Sequence, residues 1–70
     1  MTEELRELLG QYEALCHTQM DCYAFNVARA WNSGDQDNSD KNAQLFQAWA
    51  TRRLHCQRLL ESMETQLKRG

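Results

Sequence analysis

Two long rows of apolar residues run along this chain, parted by one short stretch that has none. In the first half, Leu5, Leu9, Tyr12, Cys16, Met20, Tyr23, Val27 and Ala30 recur at gaps of three and four. That is the spacing of one helical face, and it predicts a helix over residues 3–31. Thr2 is placed to cap the first turn, and Glu3 and Glu4 suit the positive end of the helix dipole. In the second half, Phe46, Trp49, Arg53, Cys56, Leu60, Met63 and Leu67 repeat the pattern with one charged member, Arg53. This row predicts a second helix over residues 40–68, with Ser39 as its N-cap and Lys68 and Arg69 at its negative end. Residues 32–39 hold only polar residues and glycine and read as the loop. Gly34 is free to take the left-handed conformation that ends a helix.

Two helices of similar length joined by a short polar loop fold back on each other. The expected fold class is all-α, an antiparallel two-helix hairpin forming one domain over residues 1–70. If facing residues sum to a constant near 72, Leu5 meets Leu67, Leu9 meets Met63 and Tyr12 meets Leu60. Cys16 then meets Cys56, Tyr23 meets Trp49, and Asn26 or Val27 meets Phe46. These residues form the expected hairpin seam. Charge supports the folding back. Residues 1–35 carry six acids and two bases, net −4, whereas residues 36–70 carry four acids and six bases, net +2.

Length then changes the picture. Seventy residues exclude a doubly wound sheet or a closed α/β barrel. A chain of this size buries only about 60% of its unfolded surface even when compact. Apolar residues are nevertheless left over beside the seam: Leu8, Leu15 and Phe25 in the first helix, and Leu45, Leu54 and Leu59 in the second. Together with Arg53, which either snorkels out of the seam or meets a partner's carboxylate, they are the expected partner interface. The occupant is another protein, a second copy of the chain, or both.

Candidate chemistry adds little. Cys16-His17 and His55-Cys56 fall at one level of the hairpin and make a zinc ligand set in type. Adjacent helical residues point about 100° apart, however, so neither pair turns easily to one ion. Packing of two small thiols is the leading reading, ahead of a disulfide or a metal site. Asp35-Gln36-Asp37-Asn38-Ser39 begins like a calcium loop, but Asp40 stands where glycine belongs and Phe46 where glutamate belongs. No catalytic constellation, glycine-rich phosphate loop or inward carboxylate pair is visible, so neither an enzyme nor a cofactor or metal site is expected. Three cysteines do not make a disulfide framework. The acidic start gives no secretory signal, and no apolar run is long enough for membrane insertion. The expected location is cytoplasmic. A pI near 5.5 weighs against nucleic acid, although Arg52, Arg53 and Arg58 form a small basic cluster.

In outline the chain resembles the small helical-hairpin co-chaperones of type III secretion needle subunits. The resemblance rests on the acidic, leucine-bearing start Met1-Thr2-Glu3-Glu4-Leu5 and the Gly34-Asp35 turn. It rests also on the aromatic-led second helix, Leu45-Phe46-Gln47-Ala48-Trp49 continuing to Leu59-Leu60-Glu61-Ser62-Met63. It implies a cytosolic, non-enzymatic protein that docks on a larger helical-repeat chaperone and helps to hold a secreted helical subunit soluble. The alternative expectation is a homodimeric four-helix-bundle regulator associated with RNA or DNA.

Overall fold

The computed structural model describes the backbone of residues 2–69 and the side chains of residues 3–66. Two helices make up the chain: α1, Thr2–Asn32, and α2, Gln36–Arg69. They pack against each other as an antiparallel all-α hairpin, and no strand occurs among the described residues. The molecule is a rod with extents of 55 × 15 × 13 Å.

The connection is much shorter than its composition suggests, only Ser33, Gly34 and Asp35. Gly34 takes a φ of 77°. Its amide donates to the Trp31 carbonyl at 3.1 Å, and the Asp35 amide donates to the Ala30 carbonyl at 2.9 Å. These paired bonds form a Schellman motif, which satisfies the last carbonyls of α1. Asp35 then caps α2 at once: its Oδ1 accepts from the Asn38 amide at 3.2 Å. The expected cap, Ser39, lies inside the first turn of α2, and its amide donates to the Asp35 carbonyl at 3.0 Å. The loop over 32–39 is therefore corrected: α2 begins four residues earlier than expected. Side-chain bonds from Gln36 to Asp40 and from Asn42 to Asn38 hold this polar first stretch helical. Replacing the cap, Asp35→Ala, is expected to cost about 1 kcal/mol of stability in chemical denaturation.

The short connection also moves the register. Arg6 meets Glu64, Glu13 meets Gln57 and Asn26 meets Asn42. A constant sum of 72 would have set them against Gln66, Leu59 and Phe46. On α2, the partners lie two to four residues nearer the loop than expected.

The core is small. Among the described residues, the buried apolar side chains are Cys16, Ala30 and Cys56, joined by the polar Ser39. Small residues let the two backbones approach closely. Leu9, Tyr23, Val27, Phe46, Trp49, Leu60 and Met63 line the seam half-buried, as expected. Leu67 lies outside the residues whose side chains are described. Leu5 and Tyr12 are corrected, because both are exposed. The row that enters the seam runs Leu9, Glu13, Cys16, Met20, and it leaves Leu5 and Tyr12 on its flank.

Candidate interaction face

Glu13 has a clear reason to enter the seam. Its Oε1 lies 3.4 Å from Arg53 Nε and accepts from Gln57 Nε2 at 3.2 Å. Arg53 thus finds its carboxylate within its own chain, which corrects its place in the expected partner interface. Both side chains are part-buried, so the pair holds register more than it adds stability. A second polar pair, Asn26 Nδ2 to Asn42 Oδ1 at 3.4 Å, sits nearer the loop. No buried side-chain nitrogen or oxygen among the described residues lacks a hydrogen-bond partner.

Cys16 and Cys56 are the dry centre of the seam, with exposures of 0% and 2%. Cys56 Sγ donates to the Leu9 carbonyl at 2.9 Å. Burial pushes the Cys56 thiol above its ordinary value, and the neighbouring Cys16 and Glu13 add to the rise. All three cysteines are free thiols. His17 and His55 point outward, and His17 Nε2 lies 3.6 Å from Asp21 instead. Among the described residues, no group of three His, Cys, Asp or Glu side chains is placed to hold a metal ion.

The Cys56 shift has a pH consequence. A thiol that is harder to ionise in the folded state stabilises the fold while it is protonated. Its contribution is complete below the ordinary thiol value of 9.0 and is lost as pH rises above it. Denaturation midpoints are expected to fall above about pH 9, with a shallower fall in Cys56→Ala. A Cys56→Ala variant as steep as the wild type would refute this.

The leftover leucines sort onto two sides of the rod. Leu8 and Leu15 each stand one residue before a seam position in α1, Leu9 and Cys16. Leu45, Arg52 and Leu59 each stand one residue before a seam position in α2, Phe46, Arg53 and Leu60. One residue turns a helix by about 100°. Because the helices run in opposite directions, that turn leads both sets to the same broad side. The clefts agree with this placement: Arg29 and Asn38, each one before a seam residue, line one cleft. Ala24 and Gln47, each one after, line another.

On the first side, a three-four row of α1 lies next to the seam, and a row of α2 shares Asn42, Trp49, Cys56 and Met63 with the seam itself. One runs Leu5, Leu8, Tyr12, Leu15, Gln19, Cys22, Asn26, Arg29. The other runs Asn42, Leu45, Trp49, Arg52, Cys56, Leu59, Met63, Gln66. Neither contains a carboxylate. The opposite side carries Glu3, Glu7, Asp21, Asp40, Glu61 and Glu64, together with the exposed Leu54 and Trp31. Leu8 is 61% exposed and Leu59 54%, and Leu5, Leu15 and Leu45 are also exposed. Arg52 lies over the Trp49 ring, 4.5 Å from its centroid, so its charge is held by an aromatic face.

Four of the seven expected interface residues, Leu8, Leu15, Leu45 and Leu59, therefore share this leucine face. Leu54 projects on the opposite side, and Phe25 points away from the seam on the back of α1. Both are exposed but belong to other surfaces. Leu5 and Tyr12, expected inside, join the leucine face instead. Trp31, at 65% exposure the most exposed large apolar side chain among the described residues, is not among the expected residues. Its signal was its place one residue after the seam member Ala30.

No helix of the described chain is long and apolar enough to cross a membrane. Searches against protein-family models, curated proteins and solved structures find no match to this chain.

Proposed function

We propose that this chain is a non-enzymatic protein–protein interaction module that works through its leucine face. The observation that carries the reading is the contrast between the two broad sides. One is acid-free and exposes Leu5, Leu8, Leu15, Leu45 and Leu59, the other carries the acids and exposes only Leu54 and Trp31 among large apolar side chains, and the hairpin itself buries only three apolar side chains among the described residues. Interface centres are depleted of charge and rich in aromatic residues, methionine and arginine. Tyr12 and Arg52 supply that composition on the face, and the half-buried Trp49 and Met63 supply it at the edge shared with the seam.

The specific form of the proposal is a small cytoplasmic co-chaperone of a type III secretion system, resting on the resemblance of the Met1–Leu5 start, the Gly34-Asp35 turn and the Leu45–Met63 run. Its partners would be a larger helical chaperone and a secreted helical subunit. The nucleic-acid alternative draws less support. Of its three arginines, Arg53 is engaged by Glu13 and Arg52 by Trp49.

The test is capture from the native host with mass-spectrometric identification, using wild type, Leu59→Glu and Leu54→Glu. A helical partner retained by wild type and Leu54→Glu and lost from Leu59→Glu is the expected result. Equal capture by all three removes the leucine face as the working surface.

A further inference from the structure

We infer that the leucine face is a self-association surface, and that a second copy of this chain packs on it to form an antiparallel four-helix bundle. This rests on the reading of that face as an interaction surface and names one occupant for it. The first argument is area. The chain exposes 5560 Å², whereas a compact protein of 8.2 kDa exposes about 4,500 Å². The excess, about 1,000 Å², is close to the roughly 800 Å² that each partner hides in a standard stable interface. One broad side of a rod 55 Å long and 15 Å wide offers an area of that same order.

The second argument is that the face matches itself, level by level. Arg6 meets Glu64, and Leu9 is touched by Cys56. Leu8 and Leu59, which lie between those pairs, are therefore at one level. Asn26 and Asn42 meet directly, and Cys22 and Leu45 follow a turn further from the loop. Leu5, Leu8, Leu15 and Leu59 thus occupy the open half of the face, and the two asparagines lie at the loop end beyond Leu45. A two-fold axis parallel to the rod preserves these levels. It lays α1 of one copy on α2 of the other, with Leu8 against Leu59, Cys22 against Leu45 and Asn26 against Asn42. An end-for-end arrangement would set leucines against asparagines. In the parallel-axis bundle every neighbouring helix is antiparallel, the up-and-down topology that short loops favour. No carboxylate is drawn into the new interface, so none has to be desolvated there.

The experiment is the mass of the purified 70-residue chain by sedimentation equilibrium across the micromolar range. The expected mass is twice 8.2 kDa for wild type and for Leu54→Glu, and a single chain for Leu59→Glu. Leu8→Gln guards against a variant that merely unfolds. With wild-type circular dichroism retained, it should raise the dimer dissociation constant about a hundredfold, because the lost leucine enters twice. A wild-type mass of one chain throughout the range overturns self-association. If Leu59→Glu still loses a host partner in that case, the face belongs to a different chain and the interaction reading stands. A wild-type dimer that neither Leu59→Glu nor Leu8→Gln weakens overturns the choice of face.

Discussion

Cys16→Glu is expected to abolish the folded hairpin. Cys16 is fully buried at the centre of the seam. Glutamate is a good helix former, so the substitution leaves the local propensity of α1 intact. What it changes is the seam. A carboxylate there could only take Arg53 from Glu13, which leaves one of the two acids unpaired in the seam. Burying an unpaired charge costs several kcal/mol, against a total stability of about 5–15 kcal/mol for ordinary domains. This core holds only three buried apolar side chains among the described residues, so the loss should be complete. Far-ultraviolet circular dichroism and denaturant titration read it directly. Leu54→Glu makes the same chemical change on an exposed position and should leave helicity unchanged. Cys16→Ala keeps a small apolar side chain and should cost about 1 kcal/mol. A folded Cys16→Glu with a wild-type midpoint would show that the seam is wetter than its burial implies.

Gly34→Val is the second large effect. At a φ of 77°, a side chain strains the backbone by about 1–2 kcal/mol, and a β-branched one by more. No atom lies within 4 Å of the position a Cβ would take at Gly34, so the cost comes from the backbone and not from a clash. Gly34→Ala should therefore cost about 1 kcal/mol and Gly34→Asn less, since asparagine tolerates the left-handed region. The ordering Asn, Ala, Val in denaturation midpoint is the check. Three equal midpoints would mean that the turn relaxes to another conformation.

The hairpin itself was legible because both helices carry long three-four rows, broken only by Arg53, and proline is absent. The boundary of α2 was not. Gln36, Asp37, Asn38 and Ser39 have turn composition, and their helical state depends on Asp35 capping them and on bonds such as Gln36 to Asp40. The register followed from that boundary, since each residue taken from the loop draws α2 along α1. The misplacement of Tyr12 has a different cause. Hydrophobicity alone chose Tyr12 over Glu13 for the seam, whereas the structure chose the residue whose charge answers Arg53. An arginine inside an apolar row was itself the signal for a facing acid one helix away. Whether a flanking leucine belongs to the leucine face depended on handedness and direction together, and that separated Leu59 from Leu54.

The three-residue turn also sets an order of events. Residues beside it are near neighbours along the chain, so Ala30 and Ser39 come together at little entropic cost, and each further pair closes a longer loop. A hairpin built this way zips from the turn outward, and its contacts of highest sequence separation, such as Arg6 with Glu64, form last and open first. The leucines of the self-matching face are concentrated at that late-closing end. Binding there would clamp the zipper shut, so amide-exchange protection of residues 5–15 should report occupancy of the face more sharply than protection near Gly34.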